Sequence, residues 1–494
     1  MKWDLVGAAY RGRSIVVDGQ ECVNLYPEAS PSTEAKNNVV LIGTPGLKLL
    51  NTIGTGSNGT RGIFVTARNR CLAVVGNILY ELDSAFGYTT LGTLNTHAGR
   101  VTFAEIDIQT DPSAAPESQV MLVDGNYGYI LDTLTSVFTQ ISGDYLPGTS
   151  ITSQNGFFVQ NLNNSNKFIY SDQYDGLSWQ ASLNFFAAES SPDPIKYITL
   201  INNQLWLVGS KSIEIWNYTG VAEQLWERSG VGYIQTGMAG SYCATTIVGN
   251  ILWLGSDKDG QNTVWQSGAS YTPQRISTHA IEYIISQIGD VSDCVTLSYM
   301  KEGHQFVVFN FPSGQRTLVY DLNTQLWHER GDYNKYTGLN EHHRAMFVAG
   351  WDNKILVGDV DNNNLYEWSL EQYSDDGKTI KRVRTCPHIH NERHRVFFHQ
   401  IEIDMERGVG DGQTLSDLPS GSNPQMMLRY SNDGGYNYSS NEIWQDVGKI
   451  GARLCRVRFN KLGMSRDRVF QLVMTDPVKW ILIDGRCDLS TEAV

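Results

Sequence analysis

Residues Leu205–Trp216 read LWLVGSKSIEIW: a run of apolar residues, a polar turn around Gly209 and Lys211, and a second strand in which Ile213, Glu214, Ile215 and Trp216 follow. Branched and aromatic residues on either side of a short polar turn are the mark of a β-hairpin. The pattern occurs six more times. It reads LAVVGNILYEL from Leu72, VMLVDGNYGYIL from Val120, FFVQNLNNSNKFIY from Phe157, LWLGSDKDGQNTVW from Leu252, FVVFNFPSGQRTLVYDL from Phe306 and ILVGDVDNNNLYEW from Ile355. Successive starts lie 48, 37, 48, 47, 54 and 49 residues apart. Strand pairs recurring at that period predict propeller blades, because one small sheet cannot bury both of its faces and must stack radially on its neighbours. The expected fold is all-β, with a six- or seven-bladed β-propeller over residues 61–375. An array of β-sandwiches in which hairpins recur by chance is the competing fold.

Outward from the repeats the pattern changes on both sides. The first sixty residues, with PEASPSTEAKNN in their middle, read as an extended N-terminal arm, 1–60. After the last hairpin comes a basic, His-rich stretch, SDDGKTIKRVRTCPHIHNERHRVFFHQ, followed by alternating segments such as HQIEIDME, QMMLRYS and RVFQLVMTD. Residues 376–494 are expected to form a C-terminal β-sandwich, with GVGDGQTLSDLPSGSNP as a long loop inside it. Helical spacing is confined to HAIEYIISQIGDVSD, where Ile281, Ile284, Ile285 and Ile288 share one face. It is read as a helix packed on the rim between two blades.

The chain has 494 residues, 41% hydrophobic and 11% aromatic, with 47 Gly but only 18% charged residues, a mixture suited to many short strands and turns. The formal charge of −14 argues against a protein that grips nucleic acid, since phosphate binding is driven by Lys and Arg. A passive wall along which DNA slides remains compatible with it. The seven cysteines are scattered with no C-x-x-C pair, which signals neither a disulfide framework nor a zinc site. The first twenty residues, interrupted by Asp4, Arg11 and Arg13, lack the apolar core of a signal peptide. No apolar run approaches the ~20 residues a membrane helix needs, so no membrane insertion is expected.

Few constellations invite chemistry. SNDGGYNY, Ser431–Tyr438, fits the S-x-D-x-G-x-x-aromatic pattern of an Asp box and is read as a turn lock, its carboxylate accepting turn N–H bonds. Cys386, His388, His390, His394 and His399 form a metal-like cluster, because H-x-H on a strand points two imidazoles to one face. Arg393 and Arg395 sit among them and disfavour a dication, so a polar strand edge or subunit contact is the preferred reading and no metal is assigned. DVDNNN, Asp359–Asn364, resembles the start of an EF-hand loop but has Asn364 where Gly is needed and Leu370 where Glu is needed; it reads as a hairpin turn, as does DKDG at 257–260. Nucleotide, hydrolase-elbow and zincin motifs are absent, and no catalytic or cofactor-binding residue is assigned.

Several stretches resemble the tail-hub family of short-tailed bacteriophages, also called nozzle or packaged-DNA stabilisation proteins. ECVNLYPE (Glu21–Glu28) and IGTPGLKLL (Ile42–Leu50) resemble its opening, and GSKSIEIWNYTG (Gly209–Gly220) with RSGVGYIQTGMAGSYC (Arg228–Cys243) its middle. EGHQFVVFNFP, LVYDLNTQLWHER and RFNKLGMSRDRVFQLVMTDPVKWILIDG (Arg458–Gly485) resemble a later blade and the closing sandwich. The resemblance implies a structural protein of the virion tail, assembled in the host cytoplasm. It further implies a homohexameric ring below the portal and adaptor rings, contacts with tail spikes or fibres and with a needle or plug, and passage of double-stranded DNA without sequence-specific binding. The family offers no catalytic residue to carry over, and the His-rich patch departs from its pattern. A ring of six such chains would carry a formal charge of about −84. Two other functions compete: a sialidase- or glycosidase-like propeller enzyme, which needs converging carboxylates and arginines at one propeller face, and a non-catalytic carbohydrate binder using exposed Trp and Tyr platforms.

Overall fold

The computed structural model describes residues 2–30, 32, 34–56, 58–108, 118–256, 262–268, 270–392, 394–409 and 423–491. The turn at 257–260, the loop core at 410–422 and Arg393 lie outside them. Each of the seven hairpins is the central pair of a four-stranded or larger antiparallel blade; the first five sheets have four or five strands, while the sixth and seventh are extended to ten and six by other segments of the chain. In the first sheet, Cys71–Val75 and Ile78–Leu82 are flanked by Thr60–Val65 and Tyr88–Thr93. Six more sheets follow, opening with Thr102–Asp107, Ile151–Gln154, Ile195–Ile201, the pair Gly237–Met238 and Ala244–Ile247, Val295–Lys301 and Ala345–Trp351.

The central strands are buried on both faces, which is why CLAVV and FFVQN read as continuous runs rather than alternations. Neighbouring sheets share apolar clusters: Leu72, Val74 and Leu79 of the first pack with Val120, Leu122 and Leu131 of the second. The first strands face a common axis, since Ile63, Thr102, Ile151, Tyr197, Thr245, Ser298 and Phe347 all line one channel. Ala345–Trp351 packs against Thr60–Val65, so the seventh sheet meets the first and the ring closes. This is a β-propeller.

In five sheets the turn from first to second strand is a two-residue turn with both residues at positive φ: Asn155-Gly156, Asn202-Asn203, Val248-Gly249, Glu302-Gly303 and Asp352-Asn353. That is the type I′ geometry, whose twist matches that of the flanking strands and which favours Asn and Gly.

The seventh sheet takes its outer strand from the other end of the chain. Gly46–Thr52 runs antiparallel to Asn364–Ser369, with Leu47 opposite Trp368. The turn before that strand latches the incoming segment: Asn363 Nδ2 donates to Ile53 O at 3.0 Å. Residues 1–60, read from sequence as an extended arm, are thus placed strand by strand. Lys2–Trp3, Leu25–Ala29 and Val39–Gly43 join one sheet of the C-terminal unit, and Cys22–Val23 bridges both units. The physical reason is apolar content: Trp3, Leu5, Leu25, Leu41 and Leu47 are all buried, which an unattached arm would leave in water.

The C-terminal unit is a β-sandwich. One sheet contains Val396–Met405, Ile481–Thr491 and Val457–Asn460; the other contains Arg382–Thr385, Asp467–Met474, Gln425–Ser431 and Ile443–Asp446. Phe398, Ile401 and Ile403 of the first sheet meet Leu428, Phe470 and Leu472 of the second. Val23 pairs in parallel with Glu329 of the sixth propeller sheet and antiparallel with Val383 of the sandwich, so one ten-stranded sheet spans the two units. The single described helix, His279–Ser286, is capped by Thr278 and buries Ala280, Ile281 and Ile285 between the fifth and sixth sheets in chain order. No helix among the described residues is long and apolar enough to cross a membrane.

Candidate functional site

The channel at the propeller axis is lined almost wholly by uncharged residues. Thr102, Ser150, Thr245, Thr246, Thr296 and Ser298 bring hydroxyls to the channel wall, and Arg100 is the one charged residue that lines it among the described residues. No carboxylate lines it. At one end the channel opens into a cavity of about 500 Å³ whose wall includes Arg61, His97, Arg100 and His342, with Asp361 as its carboxylate. The paired acids that glycoside hydrolysis requires on either side of a scissile bond are not assembled there.

Polar chemistry concentrates instead at the seam where the N-terminal segment, the sixth and seventh sheets and the sandwich meet. Asn24, buried and at φ 54°, is its central stitch. Its Nδ2 donates to Gly331 O at 3.0 Å and Lys381 O at 2.9 Å, and its Oδ1 accepts from Gly331 N at 3.0 Å. Arg384, fully buried, donates to Leu5 O at 2.8 Å and to Gln20 Oε1 at 2.7 Å. Glu21 accepts from Arg11 at 2.6 Å and from Thr385 Oγ1 at 3.0 Å.

Also at the seam, Asp332, His343 and Asp375 bring one side-chain atom each within 4.8 Å of one another. Arg344 Nε donates to Asp332 Oδ2 at 2.8 Å, and Asp375 Oδ1 accepts from Leu47 N at 3.0 Å. The trio does not suit a metal. His343 Nδ1 accepts from Ala345 N at 3.0 Å, which fixes the neutral ring's proton on Nε2 and makes that atom a donor rather than a ligand. Burial holds the imidazole neutral, its pKa pushed down to about 4. Burial and the nearby Asp332 push the Asp375 carboxyl up to about 7. The group is a buried hydrogen-bonded charge cluster, with Arg344 and one ionised carboxylate balancing.

The residues singled out from sequence fall as follows. Cys386 is buried, and its thiol is pushed up to about 12 by that burial. His388 turns inward, its Nδ1 2.9 Å from Asp467 Oδ1 and its Nε2 3.1 Å from Ile15 O. His390, His394 and His399 are exposed, and His399 Nε2 pairs with Ser490 Oγ at 2.7 Å. The structure does not bring the five together, because the local strand is only Ile389–His390 and His388 precedes it. In the Asp box, Asp433 Oδ1 accepts from Ser431 Oγ at 2.6 Å and from Asn437 N at 2.9 Å. Those bonds hold its carboxyl at about 2. Asp359 accepts from Asp361 N at 2.9 Å and Asn362 Nδ2 at 2.7 Å, closing the DVDNNN turn upon itself. Arg61, Asn24 and Arg100 gave no motif to find; each is an isolated residue whose role depends on partners remote in sequence.

Two family models and one relative point to the same family. The family model described as Bacteriophage P22 Gp10, beta-propeller, matches residues 18–372, and Bacteriophage P22 Gp10, beta-sandwich, matches residues 381–489. The tail hub protein gp10 of Salmonella phage P22 is 24% identical over 408 residues, covering 79% of this chain and 82% of that protein. Among solved structures, the computationally designed Ika8 protein aligns at a TM-score of 0.37 and 16% identity, over 71% of this chain and 100% of that one. The Neurospora crassa Pan2 WD40 domain aligns at 0.41 and 8% identity, over 66% and 95%. With both family models matching in order across the propeller and the sandwich, the chain belongs to the P22 Gp10 family of phage tail hub proteins.

Proposed function

We propose that this chain is a structural subunit of the tail hub of a short-tailed phage, forming a homohexameric ring below the portal and adaptor rings. In this reading the ring retains and conducts packaged double-stranded DNA without reading its sequence, and it offers docking sites to tail spikes or fibres and to a needle or plug. The chain performs no catalysis. The observation that carries the reading is the ordered match of both family models over residues 18–372 and 381–489.

Physical features support it. Seven radial sheets, read as seven blades, make a stiff disc with short protected edges. The formal charge of −14 per chain favours a DNA path that repels rather than grips. The hydroxyl-lined axis offers no acid pair for hydrolysing glycans. Imaging of purified particles together with mass measurement of the isolated chain tests the proposal. A sixfold ring of this protein at the portal vertex is the expected result; absence from virions, or a monomer at every concentration, refutes it.

A further inference from the structure

We propose that the cavity at the propeller axis is a binding site for a carboxylate carried on an apolar body, with Arg100 as the residue that pairs with the anion. The inference goes beyond the hub reading and does not depend on ring assembly.

Arg100 is a cavity-lining arginine without a carboxylate partner; Arg330 also lacks one but does not line this cavity. Arg70, Arg275, Arg316, Arg344 and Arg429 each hold a carboxylate, and Arg61, Arg384 and Arg468 each spend their guanidinium on three or more protein acceptors. Arg100 makes one hydrogen bond, Nη1 to Met346 O at 3.0 Å, and no carboxylate pairs with it among the described residues. Its guanidinium lies 4.3 Å from the Phe347 ring centre and 5.4 Å from that of Tyr242. Two aromatic faces fix the plane of the group, and its Nε and Nη2 have no acceptor among the described residues. Burial lowers its pKa to about 10, which leaves it charged at neutral pH. A cation in that setting is poorly hydrated, and a planar anion accepting two N–H bonds is the chemical complement of a guanidinium.

The position is built rather than incidental. Arg100 follows the loop Thr96–Gly99, and Arg61 holds that loop from beneath, donating to Thr96 O at 2.7 Å, Ala98 O at 2.8 Å and Gly99 O at 2.6 Å. Thr96 Oγ1 in turn donates to Asp124 Oδ2 at 2.5 Å, and Asp124 is further occupied by Asn126 N and Tyr127 N. Asp124 is thereby committed to holding this loop, and Asp361 is the cavity's one lining carboxylate among the described residues. Around Arg100 the cavity takes its wall from sheets on both sides of the ring, through Tyr242, Val295, Met346 and Phe347. Its volume of about 500 Å³ falls within the ~300–1,000 Å³ of small-molecule sites. A single acid group with an aromatic or aliphatic body fits that shape. A nucleic acid does not, being a polyanion facing a propeller-bearing region, residues 1–380, with 38 Asp and Glu against 22 Lys and Arg.

The source is either a free organic acid or an acidic side chain of a partner's loop, and titration calorimetry on the full chain separates them. The probes are 4-phenylbutyrate, its neutral amide, and an acetylated, amidated Phe-Glu dipeptide. Both acids are expected to bind saturably and the amide at least tenfold more weakly; the tighter of the two acids identifies the source. Arg100→Met is expected to lose at least tenfold for both acids with the thermal midpoint unchanged, and Arg100→Lys to lose less. The amide comparison uses the native chain alone, so it decides even where a variant fails to fold. Equal binding of acid and amide, equal binding by folded Arg100→Met, or no saturable binding of either acid overturns the proposal.

Discussion

Closure of the propeller by the strand Gly46–Thr52 makes a position-specific prediction. Leu47 is fully buried, packed with Tyr26, Tyr366 and Trp368, whereas Leu49, two residues on, is 42% exposed. Leu47→Ala removes a buried isobutyl group and leaves a cavity between the strand and the sixth and seventh sheets, at a cost of about 2–5 kcal/mol. The main-chain bonds of Leu47, to Asp375 Oδ1 and from Asp376 N, survive the change, so the loss reports side-chain packing. Leu49→Ala removes the same atoms from a partly solvated position further along the strand and is expected to cost no more than about 1 kcal/mol. Both variants are compared by urea unfolding followed by tryptophan fluorescence, with Trp351 and Trp368 of the seventh sheet as local reporters. Limited proteolysis under native conditions, cutting first at the released N-terminal segment in Leu47→Ala, gives the complementary readout. Equal losses for the two variants, or a larger loss for Leu49→Ala, would refute the burial of Leu47 against Tyr26, Tyr366 and Trp368 in the closed seventh sheet.

Asn24→Ala removes three seam hydrogen bonds and forces alanine into φ 54°, for an expected loss of about 3 kcal/mol; Asn24→Gly keeps the backbone freedom and is milder by about 1 kcal/mol. Identical unfolding midpoints for the two would remove the backbone contribution. Asp375 keeps its proton in the folded chain up to about pH 7 and loses it near 4 when unfolded, so its contribution to stability is present below pH 4 and is lost as pH rises to 7. Asp375→Asn does not titrate, and the stability of the variant relative to wild type is expected to rise between pH 4 and 7 and then level off; a constant difference from pH 4 to 8 contradicts it. Of seven unpaired cysteines only Cys455 is not fully buried, so a thiol reagent is expected to modify one cysteine quickly in the native chain and all seven after unfolding. Rapid native modification of three or more would show a looser core.

How far the fold was legible depended on burial. The middle strands of each sheet, such as Leu205–Val208, are apolar throughout and announce themselves. Outer strands such as Tyr88–Thr93 and Phe138–Gln140 are short, polar and largely exposed, and leave no pattern. The closing strand GLKLLNT was hidden for a different reason: its partner lies more than 300 residues away, and nothing local distinguishes a segment that will complete a distant sheet from an arm. Of the five type I′ turns only Asn155-Gly156 and Asn202-Asn203 carry an Asn-led pair; Val248-Gly249, Glu302-Gly303 and Asp352-Asn353 signal the turn more weakly, and all five lie one strand before the repeated hairpins. The same distinction governs the sites. The Asp box is a local motif, and its bonds run within five residues, so sequence sufficed. The His-rich patch is dense in sequence yet scattered in space, because His388 faces Asp467 from outside the strand while His390 faces water. Arg100 and the Asp332, His343 and Asp375 trio have no local signature at all, since each is assembled by ring closure or by the seam.

The seam also bears on what kind of body the subunit is. Two units joined by a linker ordinarily move relative to each other. Here Val23 lies between Glu329 of the propeller and Val383 of the sandwich within one continuous sheet, and Asn24 bonds to both sides of the junction. Arg384 adds bonds from the sandwich to the backbone of residues 5 and 8. A hinge motion would strip partners from buried polar groups, and each orphaned group costs about 1–3 kcal/mol. Three hydrogen bonds of Asn24 cross to Glu329 and Gly331 of the propeller, so the penalty is several kcal/mol and exceeds what thermal motion supplies. The propeller and the sandwich are therefore held as one rigid element rather than two bodies free to hinge about residues 22–24.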